Sequence, residues 1–262
     1  MMRNTNNLKC ILKVGDILGL FSADQPEIGV TEISRSLDMS KSTVHRILVS
    51  LEMAGLIKQS PENQKYSLGF KVLQLADTLL KQLDLNSVAV PHMSKLRDET
   101  NETVALHVLQ GTTRVCVTQI ESYHELRRVY KELGRPLPLH RGSPGKAILA
   151  FLPLPEIEKI IALYKEGSEE QCVARETLLA ELETIRQKGY AGTSGERTAG
   201  ITSVSSPVFK AGLKVVGAIN VSGPAVRFTE DKVEQYSQMV MATASAVSKD
   251  LGVPEGTICF DQ

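Results

Sequence analysis

The chain of 262 residues has no tryptophan and little aromatic content, 5% in all, yet with 42% hydrophobic and 23% charged residues its composition is globular. That excludes wholesale disorder and collagen-like repeats. Its four cysteines, Cys10, Cys116, Cys172 and Cys259, are too scattered for a zinc ribbon and argue against a disulfide framework. No segment approaches the roughly 18 consecutive apolar residues that a membrane span needs. The start, Met1-Met2-Arg3-Asn4-Thr5-Asn6-Asn7, has no apolar signal region, so a cytoplasmic address without a membrane partner is expected. Net charge is missing too, Lys+Arg 30 standing against Asp+Glu 30. Read in bulk, that argues against nucleic acid, whose partners usually carry a basic surplus. The length, however, fits one large domain or two ordinary ones, and one half can hide the charge of the other.

The first eighty residues read as three helices and a hairpin. Leu8, Ile11 and Leu12, continuing through Ile17, Leu18 and Phe21, recur at helical spacing. After a loop at Ser22–Glu27, Thr31 is the expected N-cap of a short second helix that turns Ile33 and Leu37 inward. Ser40 caps a third, in which Val44, Ile47, Leu48 and Leu51 form one apolar stripe that ends at Gly55. Lys41, Ser42, Thr43, His45 and Arg46 then occupy the exposed start of that helix, where a recognition helix meets base edges and phosphates. Leu56–Gln59 and Lys65–Leu68, around a turn at Ser60–Gln64, predict a hairpin. Placed after a recognition helix it is a wing, and its Lys58 and Lys65 suit the phosphate backbone. Between Ser40 and Lys71 five cations face two acids, a surplus of three. Acids elsewhere, among them Glu166, Glu169, Glu170, Glu176, Glu181 and Glu183, offset it.

The run Leu37-Asp38-Met39-Ser40-Lys41-Ser42-Thr43-Val44-His45-Arg46-Ile47-Leu48, then Leu51–Ile57 and Tyr66-Ser67-Leu68-Gly69, resembles the winged helix-turn-helix of the IclR family of bacterial transcription regulators. The resemblance implies an α+β protein in three parts. These are a winged helix-turn-helix over 1–69, a linker helix over 70–86 and a GAF-like effector-binding domain with an antiparallel sheet over 87–262. The candidate DNA-binding set is Thr31, Ser40, Lys41, Ser42, Thr43, His45, Arg46, Lys58 and Lys65. In the linker, Val72, Leu75, Leu79 and Leu83 form one apolar edge and Phe70, Leu73 and Leu80 another, so it needs two partners. The resemblance implies that one of them is a second chain, giving a homodimer or tetramer on a roughly palindromic duplex operator.

Beyond a helix at about Ser87–Glu99, segments at Thr103–Leu109, Arg114–Ile120, Val204–Phe209 and Lys214–Val221 read as antiparallel strands. Helices are expected at Gly145–Phe151, Pro155–Tyr164, Arg175–Lys188 and Thr229–Leu251. Ser143 suits an N-cap and Pro144 the first helical position; by spacing alone this reads as a well-capped helix, although free N–H groups at such a start can receive an anion. A small carboxylate would then need no dedicated arginine. The resemblance places the effector pocket at Ser143, Pro144, Gly145, Thr193, Ser194, Ile201, Ser203 and Ser222, with Leu126, Val129 and Leu137 as its apolar wall. Some relatives carry Gly-Ala where this chain has Ser143-Pro144, and some an aspartate where it has Thr193-Ser194, so no relative's ligand carries over. The expected effector is a small organic molecule bearing a carboxylate.

No cofactor, metal site or catalytic residue is expected. The chain has no Gly-x-Ser-x-Gly elbow, His-Glu-x-x-His motif or P-loop. His107, His124, His140 and Cys116 match no metal-ligand spacing, and Glu196-Arg197 reads as an ion pair or loop anchor. The alternatives to a regulator are a metabolic enzyme or a protein–protein adaptor that carries a winged-helix module.

Overall fold

The structure, a computed structural model, describes residues 5–22, 24–82, 84–131, 133–167 and 174–257. The side chains of 5–10, 77, 79–82, 84 and 165–167 are outside that description. So are the expectations for Leu8, Leu79, Leu80, Leu83, Glu166, Glu169, Glu170 and three cysteines, Cys10, Cys172 and Cys259. The chain divides into two compact units, 1–82 and 83–262.

The first unit contains α1 (Thr5–Leu18), α2 (Val30–Ser36), α3 (Lys41–Met53), β1 (Ile57–Gln59), β2 (Tyr66–Leu68) and α4 (Phe70–Gln82). The stripe Val44, Ile47, Leu48 and Leu51 is buried, as its spacing requires, in one core with Ile17, Ile28, Ile33, Ile57 and Tyr66. Burying each such aliphatic side chain contributes about 1.5–3 kcal/mol, which fixes the face that α3 leaves to solvent. Asp38, with φ 48, makes the left-handed step between α2 and α3. Gly55, at φ 72, ends α3 in the conformation that only glycine adopts without strain. The hairpin pairs Lys58 with Ser67 and Gln59 with Tyr66.

Two expectations for this unit need correction. The N-cap of α2 is Gly29, whose N–H donates to the Glu32 carboxylate at 2.7 Å. Thr31 falls inside the first turn, because a carboxylate three residues after the cap does the work expected of its hydroxyl. Ile11 and Leu12 of α1 are exposed; among the described side chains of that helix the core takes Val14, Ile17 and Leu18.

The second unit contains α5 (Asp84–Thr100), β3 (Thr103–Gln110), β4 (Thr113–Ile120), β5 (Pro136–Pro138), α6 (Ser143–Leu149), α7 (Leu154–Gly167), α8 (Arg175–Lys188), β6 (Ala191–Ser194), β7 (Ile201–Lys210), β8 (Lys214–Pro224) and α9 (Glu230–Asp250). The sheet runs β5-β4-β3-β8-β7-β6 and is antiparallel throughout. Its edge strands β5 and β6 escape a reading by periodicity. One is a Pro-Leu-Pro segment, tolerated only at an edge, and the other is four small residues.

Helices pack on both faces. Val104, Leu106, Val204, Val208, Ile219 and Val221 share a core with α5 and α9. By strand alternation the opposite face carries Ala105, His107, Ser203, Ser205, Asn220 and Ser222 beneath α6. His107, Ser205, Asn220 and Ser222 make this stretch buried and polar.

Candidate functional site

At the exposed start of α3, Lys41, Ser42, His45 and Arg46 all face solvent. Ser40 caps the helix: its Oγ accepts the Thr43 N–H at 3.3 Å and lies 2.9 Å from Thr43 Oγ1 and 3.2 Å from Ser42 Oγ. Thr43 is half-buried, so its hydroxyl belongs to the cap. On the hairpin, Lys58 is exposed, its Nζ 6.0 Å from the Phe70 ring centre. Lys65 differs, because its Nζ lies 3.3 Å from Glu32 Oε1. Such a half-exposed pair contributes only about 0–1 kcal/mol, but it turns Lys65 toward α2.

The second site begins at Gly142, the N-cap of α6, at φ 78. Ser143 does not cap the helix. Its Oγ lies 2.7 Å from both Ser203 Oγ and Ser205 Oγ, pinning the helix to β7. The backbone donors at this end already have partners. Gly142 N–H donates to Glu196 Oε2 at 3.2 Å and Ser143 N–H to Thr193 Oγ1 at 3.1 Å, while Pro144 has no N–H. The backbone N–H groups that the sequence offered for an anion are therefore taken by the protein's own oxygens.

Cationic side chains stand there instead. A cavity of about 40 Å³ is lined by Arg114, Arg128 and Arg197, with Tyr130, Pro144, Thr193, Glu196, Ile201 and Ser203 among its other walls. Arg114 is wholly buried; its Nη1 donates to His107 Nδ1 at 2.8 Å and its Nη2 to the Arg141 carbonyl at 3.3 Å. Burial, reinforced by the neighbouring Arg197 charge, lowers the Arg114 pKa to about 10. Burial, and then the Arg114 charge, holds His107 well below the usual imidazole range. The neutral ring that accepts at Nδ1 carries its proton on Nε2. Tyr130 OH donates to Asn220 Oδ1 at 2.8 Å and lies 3.2 Å from Ser222 Oγ. Its ring meets His107 edge-on at 5.4 Å, and the Arg128 guanidinium sits 4.8 Å from its centre. Burial raises the Tyr130 pKa, so the phenol stays protonated.

Glu196 is a loop anchor. Its Oε1 lies 2.9 Å from the buried Lys146 Nζ, which also meets Glu181 Oε1 at 2.7 Å. A wider open groove of about 450 Å³ passes between α8 and the edge strand β6, where Thr193, Ser194 and Ser203 line it. Pro144, Thr193, Ile201 and Ser203 thus reach the arginine-lined cavity, and Ser222 stands behind Tyr130. Leu126, Val129 and Leu137 are not among the lining residues of either space, and Leu126 is 68% exposed. Among the described residues no group of His, Cys, Asp or Glu is placed to hold a metal. His107 is engaged by Arg114, His124 by Asn101 and His140 by the Tyr164 ring.

Sequence reasoning missed the arginines. Arg114 opens a strand after a turn, where a cation reads as solvent-exposed. A usable signal was the hydroxyl and amide run Ser203, Ser205, Asn220 and Ser222 at inward positions of long strands.

The family model for the bacterial transcriptional regulator IclR C-terminal domain matches residues 77–249, and that for the IclR helix-turn-helix domain matches 11–61. The HTH-type transcriptional regulator KdgR of Escherichia coli (strain K12) is 32% identical over 252 residues, 95% of each chain. The crystal structure of the Thermotoga maritima IclR matches with a TM-score of 0.77 at 28% identity, over 95% of this chain and 100% of that one. An IclR homolog from Microbacterium hydrocarbonoxydans, complexed with 4-hydroxybenzoate, shares the fold with a TM-score of 0.78 at 24% identity, over 92% and 98% of the two chains. The curated relatives are transcriptional regulators, and neither alternative drawn from the sequence finds support among them. No helix among the described residues is long and apolar enough to cross a membrane.

Proposed function

Because this chain belongs to the IclR family of bacterial transcriptional regulators, we propose that it binds an operator in duplex DNA through α3 and the hairpin and releases or tightens that grip when a small carboxylate-bearing metabolite enters the arginine-lined cavity. It is a regulator and not an enzyme. The observation that carries the DNA half is the start of α3, where Lys41, Ser42, His45 and Arg46 are exposed on a helix whose other face is buried. Ser42, His45 and Arg46 read base edges, with Arg46 suited to guanine; Lys41 and Lys58 hold phosphates. Ser40 and Thr43 act by setting the helix start, and Lys65 reaches phosphate once it leaves Glu32.

The effector half rests on the cavity in the 87–262 domain. A protein of the same fold holds a small organic acid, 4-hydroxybenzoate. An effector shifts the DNA-binding equilibrium only through its differential affinity for the two arrangements of the protein. The 70–86 segment links the domains. Phe70, Leu73 and Leu75 of α4 are 80%, 66% and 54% exposed, and Ile11 and Leu12 of α1 are equally bare. A second copy of the chain covers these faces, so that two recognition helices read a roughly palindromic site in the cytoplasm.

Selection of duplexes from a random library, followed by anisotropy titration against salt, tests the reading. A recovered inverted repeat whose affinity falls steeply with salt is expected. Equal binding to all duplexes, or affinity indifferent to salt, overturns it.

A further inference from the structure

Three side-chain donors at the second site meet no hydrogen-bond partner among the described residues: Arg114 Nε, His107 Nε2 and Asn220 Nδ2. All three side chains are fully buried. Buried polar groups without partners are uncommon in folded proteins; of these three, Arg114 lines the cavity, while His107 and Asn220 stand behind its walls on Arg114 and Tyr130. The cavity walls hold three guanidinium groups against the single carboxylate of Glu196, whose oxygens are already engaged by Lys146 and the Gly142 N–H. Among the described residues neither Arg114 nor Arg128 forms an ion pair; Arg114 is the wholly buried one, and a buried unpaired cation is costly unless a ligand supplies the counter-charge.

We infer that the cavity selects a small organic dianion, a short dicarboxylate or phosphate ester, with Arg114 and Arg128 as its anchors and His107 as the residue that holds Arg114 in place. The inference rests on reading this cavity as the effector site and narrows the effector from any carboxylate to a doubly charged one. The two guanidinium groups that form no ion pair among the described residues, those of Arg114 and Arg128, match two negative charges. The space, room for roughly three waters, admits a three- or four-carbon acid and excludes a long chain. His107 matters because its neutral Nδ1 accepts from Arg114 without cancelling its charge, as a carboxylate there would. That leaves the guanidinium charged toward the cavity.

Titration calorimetry of the full chain at pH 8 tests this with malonate and methyl phosphate, both dianions, against acetate and glycolate, at matched ionic strength. Saturable binding of at least one dianion is expected, with both monoanions at least roughly tenfold weaker; the stronger dianion distinguishes dicarboxylate from phosphate ester. Arg128→Gln, at a half-exposed side chain, should weaken that dianion by roughly tenfold while circular dichroism stays unchanged, and Arg114→Gln should abolish its binding. Acetate or glycolate binding as tightly as the dianions overturns the dianion inference and leaves the carboxylate effector standing. Dianion binding that Arg128→Gln leaves intact places the ligand elsewhere and overturns it as well. If neither dianion binds, the inference fails. Whether acetate or glycolate then alters affinity for the selected duplex decides the broader reading separately.

Discussion

The guanidinium of Arg114 donates to Nδ1 of His107 across 2.8 Å, both side chains being wholly shielded from water. A strong donor that faces an imidazole nitrogen locks the ring in its neutral form, since a proton on Nδ1 would put two cations in contact. The pair behaves as one rigid unit set between β3 and β4, and its protonation has consequences for the whole domain.

Stability should depend on pH through His107. The unfolded ring takes up a proton near the ordinary value of 6.5, whereas the folded ring resists until well below it. The contribution is fully present above pH 6.5 and is lost as the pH falls beneath it, at about 1.4 kcal/mol per pH unit, until the folded pKa is reached. In His107→Asn an amide oxygen replaces Nδ1 and the titration vanishes. Between pH 7.5 and pH 5.5 the native chain should lose about 1.4 kcal/mol more than the variant in urea unfolding. Parallel losses in the two proteins would remove His107 from the account.

Arg46→Ala should weaken binding to the selected duplex by roughly tenfold or more and relax preference at one base pair. Lys58→Ala should weaken all duplexes alike and lower the salt slope by about one. Anisotropy titrations at several salt concentrations separate the two effects. Dianion binding in the other domain should survive both changes.

Glu102 is 1% exposed and is held by Arg227 through two contacts, Nε to Oε1 at 2.5 Å and Nη2 to Oε2 at 2.8 Å. The bond to Glu102 raises the Arg227 pKa, so the cation persists at every accessible pH. Arg227→Met leaves a buried carboxylate alone and should cost about 3 kcal/mol at neutral pH. Adding Glu102→Gln should recover much of that loss, which urea unfolding of both variants measures.

Gly145→Ala tests how tightly α6 sits. A Cβ there would meet the Leu139 carbonyl at 2.5 Å and Arg114 Nε at 2.9 Å, and the first is backbone that cannot swing aside. The variant should lose about 1–3 kcal/mol of stability and lose malonate binding together with it. Gly192→Ala, where a Cβ meets nothing within 4 Å, serves as the control and should leave both unchanged.

Much of the first unit was readable in the chain. The i, i+3, i+4 stripe Val44-Ile47-Leu48-Leu51, the Ser40 cap and the stop at Gly55 are local facts, and each is found where expected. The cap of α2 was missed because a glycine and a glutamate share a task that threonine usually performs alone. Ile11 and Leu12 show the limit of periodicity, which reports that a face is apolar without saying what covers it.

In the second unit the strands expected at Thr103–Leu109 and Lys214–Val221 are found, running on to Gln110 and Pro224, and the helices came with them. The site did not. Expected from a helix start and a set of hydroxyls, it is instead a convergence of Arg114 on β4 with Arg128 and Arg197 on separate loops. The sequence by itself determined the winged helix-turn-helix, the antiparallel α+β domain and the basic face hidden under a net charge of zero, because periodicity, caps and local charge act over a few residues. Only the tertiary structure decided that three arginines far apart in the chain share one cavity and that Arg114 is buried beside His107. Burial and convergence are set by long-range strand pairing, which leaves no mark on any one stretch of the sequence.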